Sequence, residues 1–232
     1  MFFPLKDENP TRNRPYATTT LIAINSLIWL YTAFLPARVF NIFLFKYGLI
    51  PYELIHLSET TPQYSAPILL SPFSSMFLHG GFLHLAGNML YLWIFGNNIE
   101  DYFGPVKFII FYLCSGLAAA FLFVLFSPNS EVPLVGASGA IAGILGAYFV
   151  LHPRARILTL IWIFFFIRLV YIPASFVLGF WFFYQLIMSA VASGSGGGVA
   201  WLAHVGGFIF GWTWFKFVLR KGRRQVVSTI ES

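Results

Sequence analysis

The sequence predicts an all-α, polytopic membrane protein: a six-transmembrane-helix bundle with a long interfacial first loop. Three observations predict it. Of 232 residues, 58% are hydrophobic and only 9% charged, whereas a soluble domain carries roughly a quarter charged residues to coat its surface. Apolar runs recur at the length a spanning helix needs, about 20 residues. Threading the chain through six spans gathers nearly all basic residues on one side. No sizeable soluble domain fits between the spans. The single cysteine, Cys114, excludes an internal disulfide framework and a cysteine-based metal site. A net charge of +6 would suggest nucleic acid in a soluble protein; here it bears on topology, and no nucleic-acid partner is expected.

A polar tail, residues 1–17, leads to the first span, Thr18 to Pro36, for which a cleaved signal peptide is the rival reading. Ala37 to Leu78 is too polar in patches to span and too apolar to be a free loop, so it is read as amphipathic pieces lying in the headgroup region. The second span is Phe82 to Phe103, ending at Glu100 and Asp101, and the third is Phe108 to Phe126 with the small-residue stretch SGLAAA. After the loop SPNSEVPLV comes GASGAIAGILGAYFVLHP, the fourth. The apolar patch Ile157 to Ile167 rises only about 16 Å as a helix, half the ~30 Å hydrocarbon core. It should not cross, and is read as a short interfacial element or a re-entrant hairpin. The fifth span starts at Pro173 and runs to Ala190; SGSGGG separates it from the sixth, Val199 to Leu219, and a basic tail, 220–232, follows.

Six spans put both termini on one side. Lys6, Arg12, Arg14, Lys107, Arg154, Arg156, Arg168, Lys216 and the run RKGRR then share that side, against Arg38 and Lys46 opposite. By the positive-inside rule it is cytoplasmic. A seventh crossing would put RKGRR outside. The short tails suit a bacterial inner membrane.

Polar groups inside spans are costly, so each is informative. His84 and Asn88 are four residues apart and share a helix face, with His79 one turn earlier. Ser138 opens the fourth span among glycines and alanines. His204, Gly207 and Gly211 share a face of the sixth. All three helices bring these groups toward the outer end. The stretch from Ser138 to His152 makes about 21 Å of helix, so the backbone entering Ser138 is non-helical at membrane depth, which requires protein or a water-filled cavity around it. Small-residue ridges, Ser138/Ala142/Gly146 and Gly139/Gly143, face the GxxxG groove of Gly207 and Gly211 and allow close helix approach. A serine–histidine hydrogen bond then becomes feasible, with His204 as general base and later general acid. No aspartate lies in either span, which favours a two-member pair. His84, Asn88 and the Ser138 backbone N–H are the available oxyanion donors. The plainer readings are packing for the serine and glycines, a carbonyl partner for His204, interhelical glue for His84 with Asn88, a capping role for His79, and interfacial positions for His56 and His152.

HGGFLHLAGNMLYLWIFGNNIED, GASGAIAG and AHVGGFIFG, in that order and separation, closely resemble the three signature regions of the rhomboid family of intramembrane serine proteases, and the resemblance covers nearly the whole chain. It implies a six-helix rhomboid core with a membrane-embedded first loop. Ser138 would be the nucleophile, His204 the base, His84 and Asn88 oxyanion donors, and Gly136 and Gly139 would shape the serine turn. It further implies no cofactor or metal, and single-span membrane proteins as substrates, cut near the outer face beside small and helix-breaking residues and admitted past the fifth helix. Two departures stand out: Ala142 where some members carry a tyrosine under the histidine, and no Trp-Arg pair between Ala37 and Leu78. Other intramembrane chemistries lack their residues: no HExxH for zinc, no intramembrane aspartate pair, and GASGA instead of GxSxG. The contrasting reading is a rhomboid-like protein that binds client helices without cutting them. A channel or carrier would need polar residues along a whole pathway, and here they stop near the outer third.

Overall fold

The computed structural model describes residues 2–60, 68–163, 165–192 and 201–230. The expected turn PQYSAP and the SGSGGG linker, with the first two residues of the sixth span, lie outside the described residues. In chain order the elements are β1 (Phe2–Asp7), α1 (Tyr16–Ala33), α2 (Ala37–Tyr47), α3 (Pro51–His56), a 3-10 turn Ile68–Leu70, α4 (Ser71–Ser74), a second 3-10 turn Ser75–Phe77, and α5 (Phe82–Tyr91). A π-helical turn, Leu92–Gly96, joins α5 to α6 (Asn97–Phe103); then come α7 (Pro105–Phe126), α8 (Ser138–Leu151), β2 (Arg156–Ile163), β3 (Phe166–Pro173), α9 (Ala174–Ala192) and α10 (Trp201–Ile230).

The protein is mostly helical. By length and composition α7 and α9 can each cross a bilayer, and Ile68–Phe77 with Phe82–Phe103 forms an apolar pair bent by 79°. α8, with 14 residues, is shorter. Its burial is nearly complete from Ala140 to Tyr148, as expected for a helix enclosed by its neighbours rather than by lipid. α7 and α10 flank it through small residues. A Cβ on Gly207 would strike the carbonyl of Gly139, one on Gly211 the carbonyl of Gly143, and one on Gly146 the carbonyl of Phe208. On the α7 side, Gly143 lies against the Ser115 side chain and Gly139 against Ala119. The α8–α10 contacts are to backbone atoms, and any larger side chain there would force the two helices apart.

An all-α reading needs one correction. β1, β2 and β3 form a three-stranded antiparallel sheet in that order. The apolar patch after α8 is a β-hairpin pairing Arg156 with Pro173 through to Ile163 with Phe166, and the residues expected as a free N-terminal tail supply its third strand, from Phe2 opposite Ile161 to Asp7 opposite Ile157. The run RILTLIWI and its partner FIRLVYIP are rich in β-branched and aromatic residues, which favour a pleated, half-buried surface. Ile157 and Thr159 point inward, fully buried, two residues apart as strand geometry requires. Pro4, which has no N–H to donate, sits on the edge strand β1, where such a residue is tolerated.

The sheet is tied to the helices by a polar knot. Asp7 Oδ2 accepts hydrogen bonds from Tyr148 Oη at 2.9 Å and Asn98 Nδ2 at 2.7 Å, and Asn9 Nδ2 donates to Asn98 Oδ1 at 2.6 Å. Burial pushes the Asp7 carboxyl above its ordinary range, opposed by those same hydrogen bonds. Close by, the buried Glu100 carboxylate accepts from the backbone N–H of Ala17 at 2.8 Å and Thr18 at 2.7 Å. It caps α1, whose preceding residue, Pro15, makes no side-chain cap. The knot lies about 15 Å along α8 from Ser138, ten residues at ~1.5 Å each.

Candidate active site

Ser138 is the first residue of α8. The turn that delivers it is held from the first loop: Leu49 and Leu134 exchange backbone hydrogen bonds at 3.1 and 2.8 Å, and Gly136 N–H donates to Ser75 carbonyl at 2.9 Å. The loop is itself pinned, with Ser74 Oγ donating to the Tyr47 carbonyl at 2.6 Å and the buried Met76 lying against Gly116 of α7. These contacts anchor the first loop in the absence of a Trp-Arg pair. Gly136 adopts φ +123°, and a Cβ there would stand 2.8 Å from the His84 ring and 3.5 Å from Asn88 Nδ2. Only glycine lets the backbone pass so close to α5 in that conformation.

Ser138 and His204 meet. Ser138 Oγ lies 2.8 Å from His204 Nε2, and His204 Nδ1 lies 2.7 Å from Gln185 Oε1. The three residues come from α8, α10 and α9, so the chain of contacts crosses three helices. Gln185 is 3% exposed and His204 9%. Two tryptophans frame the imidazole, Trp181 with centroids at 5.8 Å and Trp201 edge-on at 6.3 Å. Ala142 cannot be exchanged for a tyrosine without separating the helices, because it is fully buried and its Cβ would stand 3.2 Å from a Cβ placed on Gly207. An aromatic from α9 therefore occupies the ring's flank.

A cavity of about 640 Å³ opens beside the pair, lined by His84, Asn88, Ser138, Trp181 and His204 among others. The Asn88 side-chain amide is buried and its Nδ2 has no protein acceptor among the described residues. It is a donor without a partner beside a hydroxyl hydrogen-bonded to an imidazole. The Ser138 backbone N–H belongs to the first turn of α8, where helix geometry supplies no acceptor. His79, 1% exposed, packs edge-on against His84 at 5.1 Å and so supports that ring from behind. Gly139, Gly207 and Gly211 act at the helix contacts already described. Of the residues expected at the site, Ser138, His204, His84 and Asn88 line this one cavity, with His84 on its exposed side. His56 and His152 lie elsewhere: His56 Nδ1 is 2.9 Å from the Tyr52 carbonyl, and His152 follows α8 at its far end.

Gln185 was missed by sequence reasoning. The signal was available, since an amide inside FWFFYQLIM is costly in an apolar helix, four residues after Trp181 and seven after the fully buried Leu178, on one face. Among the described residues no group of three or more His, Cys, Asp or Glu side chains is arranged to hold a metal ion.

The family model for the Rhomboid domain matches residues 69–221. The chain belongs to the rhomboid family. The match takes in Ser138, His204, His84, Asn88 and Gln185, and leaves β1 and α1 to α3 outside it. Among similar proteins, this rhomboid chain is 31% identical to "Rhomboid protein 1, mitochondrial" of Saccharomyces cerevisiae over 169 residues, 68% of this chain and 45% of that protein. It is 43% identical over 79 residues to "Rhomboid protease GluP" of Bacillus subtilis, 34% of this chain and 14% of that one. It is 30% identical to "Putative rhomboid protease YdcA" of the same organism over 130 residues, 56% and 59% of the two chains. The chain therefore spans only part of each of these relatives.

Proposed function

We propose that this rhomboid protein is an intramembrane serine endopeptidase that hydrolyses peptide bonds in or near the membrane-spanning segments of single-span proteins. The observation that carries the reading is the 2.8 Å hydrogen bond between Ser138 Oγ and His204 Nε2, beside a cavity in which Asn88 offers an amide donor unpaired among the described residues. Relatives named as rhomboid proteases add support.

In this reading Ser138 Oγ–H donates to His204 Nε2 and loses its proton as the oxygen attacks the scissile carbonyl carbon. The carbonyl oxygen gains negative charge, met by Asn88 Nδ2, His84 and the Ser138 backbone N–H. His204 Nε2–H then passes its proton to the leaving amine, the C–N bond breaks, and the acyl group stays on Ser138. Water, deprotonated by the same imidazole, attacks the acyl carbon; the bond to Ser138 Oγ breaks, Oγ takes the proton back from His204, and the carboxylic acid leaves. The reaction needs no metal or cofactor. The bundle makes six crossings in this proposal, with the basic termini and the β-sheet on the cytoplasmic side and Ser138 toward the outer one.

The test is cleavage of a model single-span substrate in proteoliposomes. Ser138→Ala and His204→Ala are each expected to abolish product while keeping expression and thermal midpoint near those of the unaltered chain. Cleavage that persists in Ser138→Ala would overturn the proposal.

A further inference from the structure

Three observations meet at Gln185. It is the one amide side chain of α9, a helix whose other polar side chains are hydroxyls, yet it is almost fully buried while Phe176, Phe183 and Val191 of the same helix are 70%, 61% and 71% exposed. Its Oε1 lies 2.7 Å from His204 Nδ1. The other nitrogen of that ring lies 2.8 Å from Ser138 Oγ. From these we infer that Gln185 is a positioning residue for the hydrolytic reaction, its carbonyl oxygen accepting the Nδ1–H of His204 and so keeping the lone pair of Nε2 facing Ser138; the inference rests on the protease reading above.

A neutral imidazole carries one N–H, and the two ring nitrogens cannot both accept. An acceptor at Nδ1 therefore assigns the proton to that side and leaves Nε2 free to take the serine proton. Were the amide NH2 of Gln185 turned toward Nδ1, the proton would sit on Nε2 and Ser138 would have nowhere to send its own. The orienting hydrogen bond remains when the ring becomes an imidazolium: Nδ1–H still donates to Oε1, and Nε2–H is the proton delivered to the leaving amine. In aqueous serine proteases this task belongs to a buried aspartate. Inside a membrane a carboxylate is costly, and a neutral carbonyl oxygen fixes the tautomer without bringing a charge into the bundle.

The position of Gln185 makes the role separable from assembly of the pair. Ser138 and His204 are brought together by the backbone contacts of Gly139 with Gly207 and Gly143 with Gly211, which do not involve α9. Trp181, one turn before Gln185, flanks the same ring. α9 thus contributes ring orientation and tautomer, whereas α8 and α10 contribute proximity.

The experiment uses the full chain in proteoliposomes with Gln185→Leu, which keeps volume and removes the acceptor, and Gln185→Glu, which keeps an acceptor oxygen. Cleavage of a model single-span substrate gives kcat and KM, the rate of Ser138 labelling by a fluorophosphonate reports the nucleophile alone, and a thermal midpoint reports folding. Gln185→Leu is expected to lower kcat and labelling rate by roughly 10- to 100-fold, at or below the lower bound for loss of a general base, because the base itself stays, with KM and midpoint near wild type. Gln185→Glu is expected to recover most of both rates. Wild-type kcat in Gln185→Leu, or a Gln185→Glu chain as slow as Gln185→Leu, would overturn the role of Gln185. A wild-type chain whose Ser138 takes no probe would overturn the protease reading beneath it, so the two failures are distinguishable.

Discussion

Asn88 gives the sharpest consequence at the scale of single residues. Its amide is buried beside the cavity with Nδ2 unpaired among the described residues, so in the proposed reaction the site holds a desolvated donor whose hydrogen bond forms only when an acceptor arrives. A donor that meets charge mainly in the transition state lowers the barrier without tightening substrate binding. Asn88→Ala is therefore expected to reduce kcat by about 100- to 1000-fold, the cost typical of one oxyanion donor, with KM little changed. A steady-state kcat/KM measurement in which KM carries the loss would contradict that role. The residues visible in the sequence were those whose chemistry is out of place in lipid: Ser138, His84, Asn88 and His204. Gln185 shows the same signal in principle, but its partner is 19 residues away on another helix, and only the packing of α9 against α10 makes it a neighbour of the imidazole.

At the scale of elements, the contact of α8 with α10 governs whether Ser138 reaches His204. Gly211 sits two turns beyond His204, and a methyl placed there meets the Gly143 backbone. Gly211→Ala is expected to cost about 1–3 kcal/mol, the range for overpacking a tight contact, and to reduce cleavage along with thermal midpoint. Unaltered midpoint and activity would mean that the two helices are not locked where they touch. The small-residue ridges were legible because glycine spacing reports backbone approach directly. The hairpin of β2 and β3 was not legible as strand. An apolar run of about a dozen residues suits a buried helix and a strand alike, and the alternation of Ile157 and Thr159 is hidden because the intervening residues are also apolar. What decides it is pairing with β1, a contact between residues 150 or more positions apart in sequence that no local pattern records.

For the whole molecule, the sheet and the helices are joined through Asp7, Asn98 and Tyr148. Asp7→Ala would leave the buried Tyr148 hydroxyl without its acceptor, while the Asn98 amide keeps Asn97 Oδ1 at 2.8 Å; the expected loss is about 1–3 kcal/mol for the stranded hydroxyl, read as a lower thermal midpoint. Because burial holds the Asp7 carboxyl above the ordinary range, the folded chain binds this proton more tightly than the unfolded one. Stability from this group therefore falls as pH rises from the ordinary carboxylate range through the raised one. The difference in midpoint between wild type and Asp7→Asn should change in that direction across mildly acidic pH, and a difference independent of pH would contradict it. The knot and the candidate site lie at opposite ends of α8, so Asp7→Ala is expected to affect stability more than the kcat of the folded fraction.

The proposed function depends on Ser138 being a nucleophile activated by His204. It is tested most directly by intact-protein and peptide mass spectrometry of the chain after exposure to a fluorophosphonate. One covalent adduct is expected, on Ser138, forming in the wild type and failing to form in His204→Ala even though that variant remains folded. An unmodified Ser138 in the wild type, or equal labelling without His204, would contradict it.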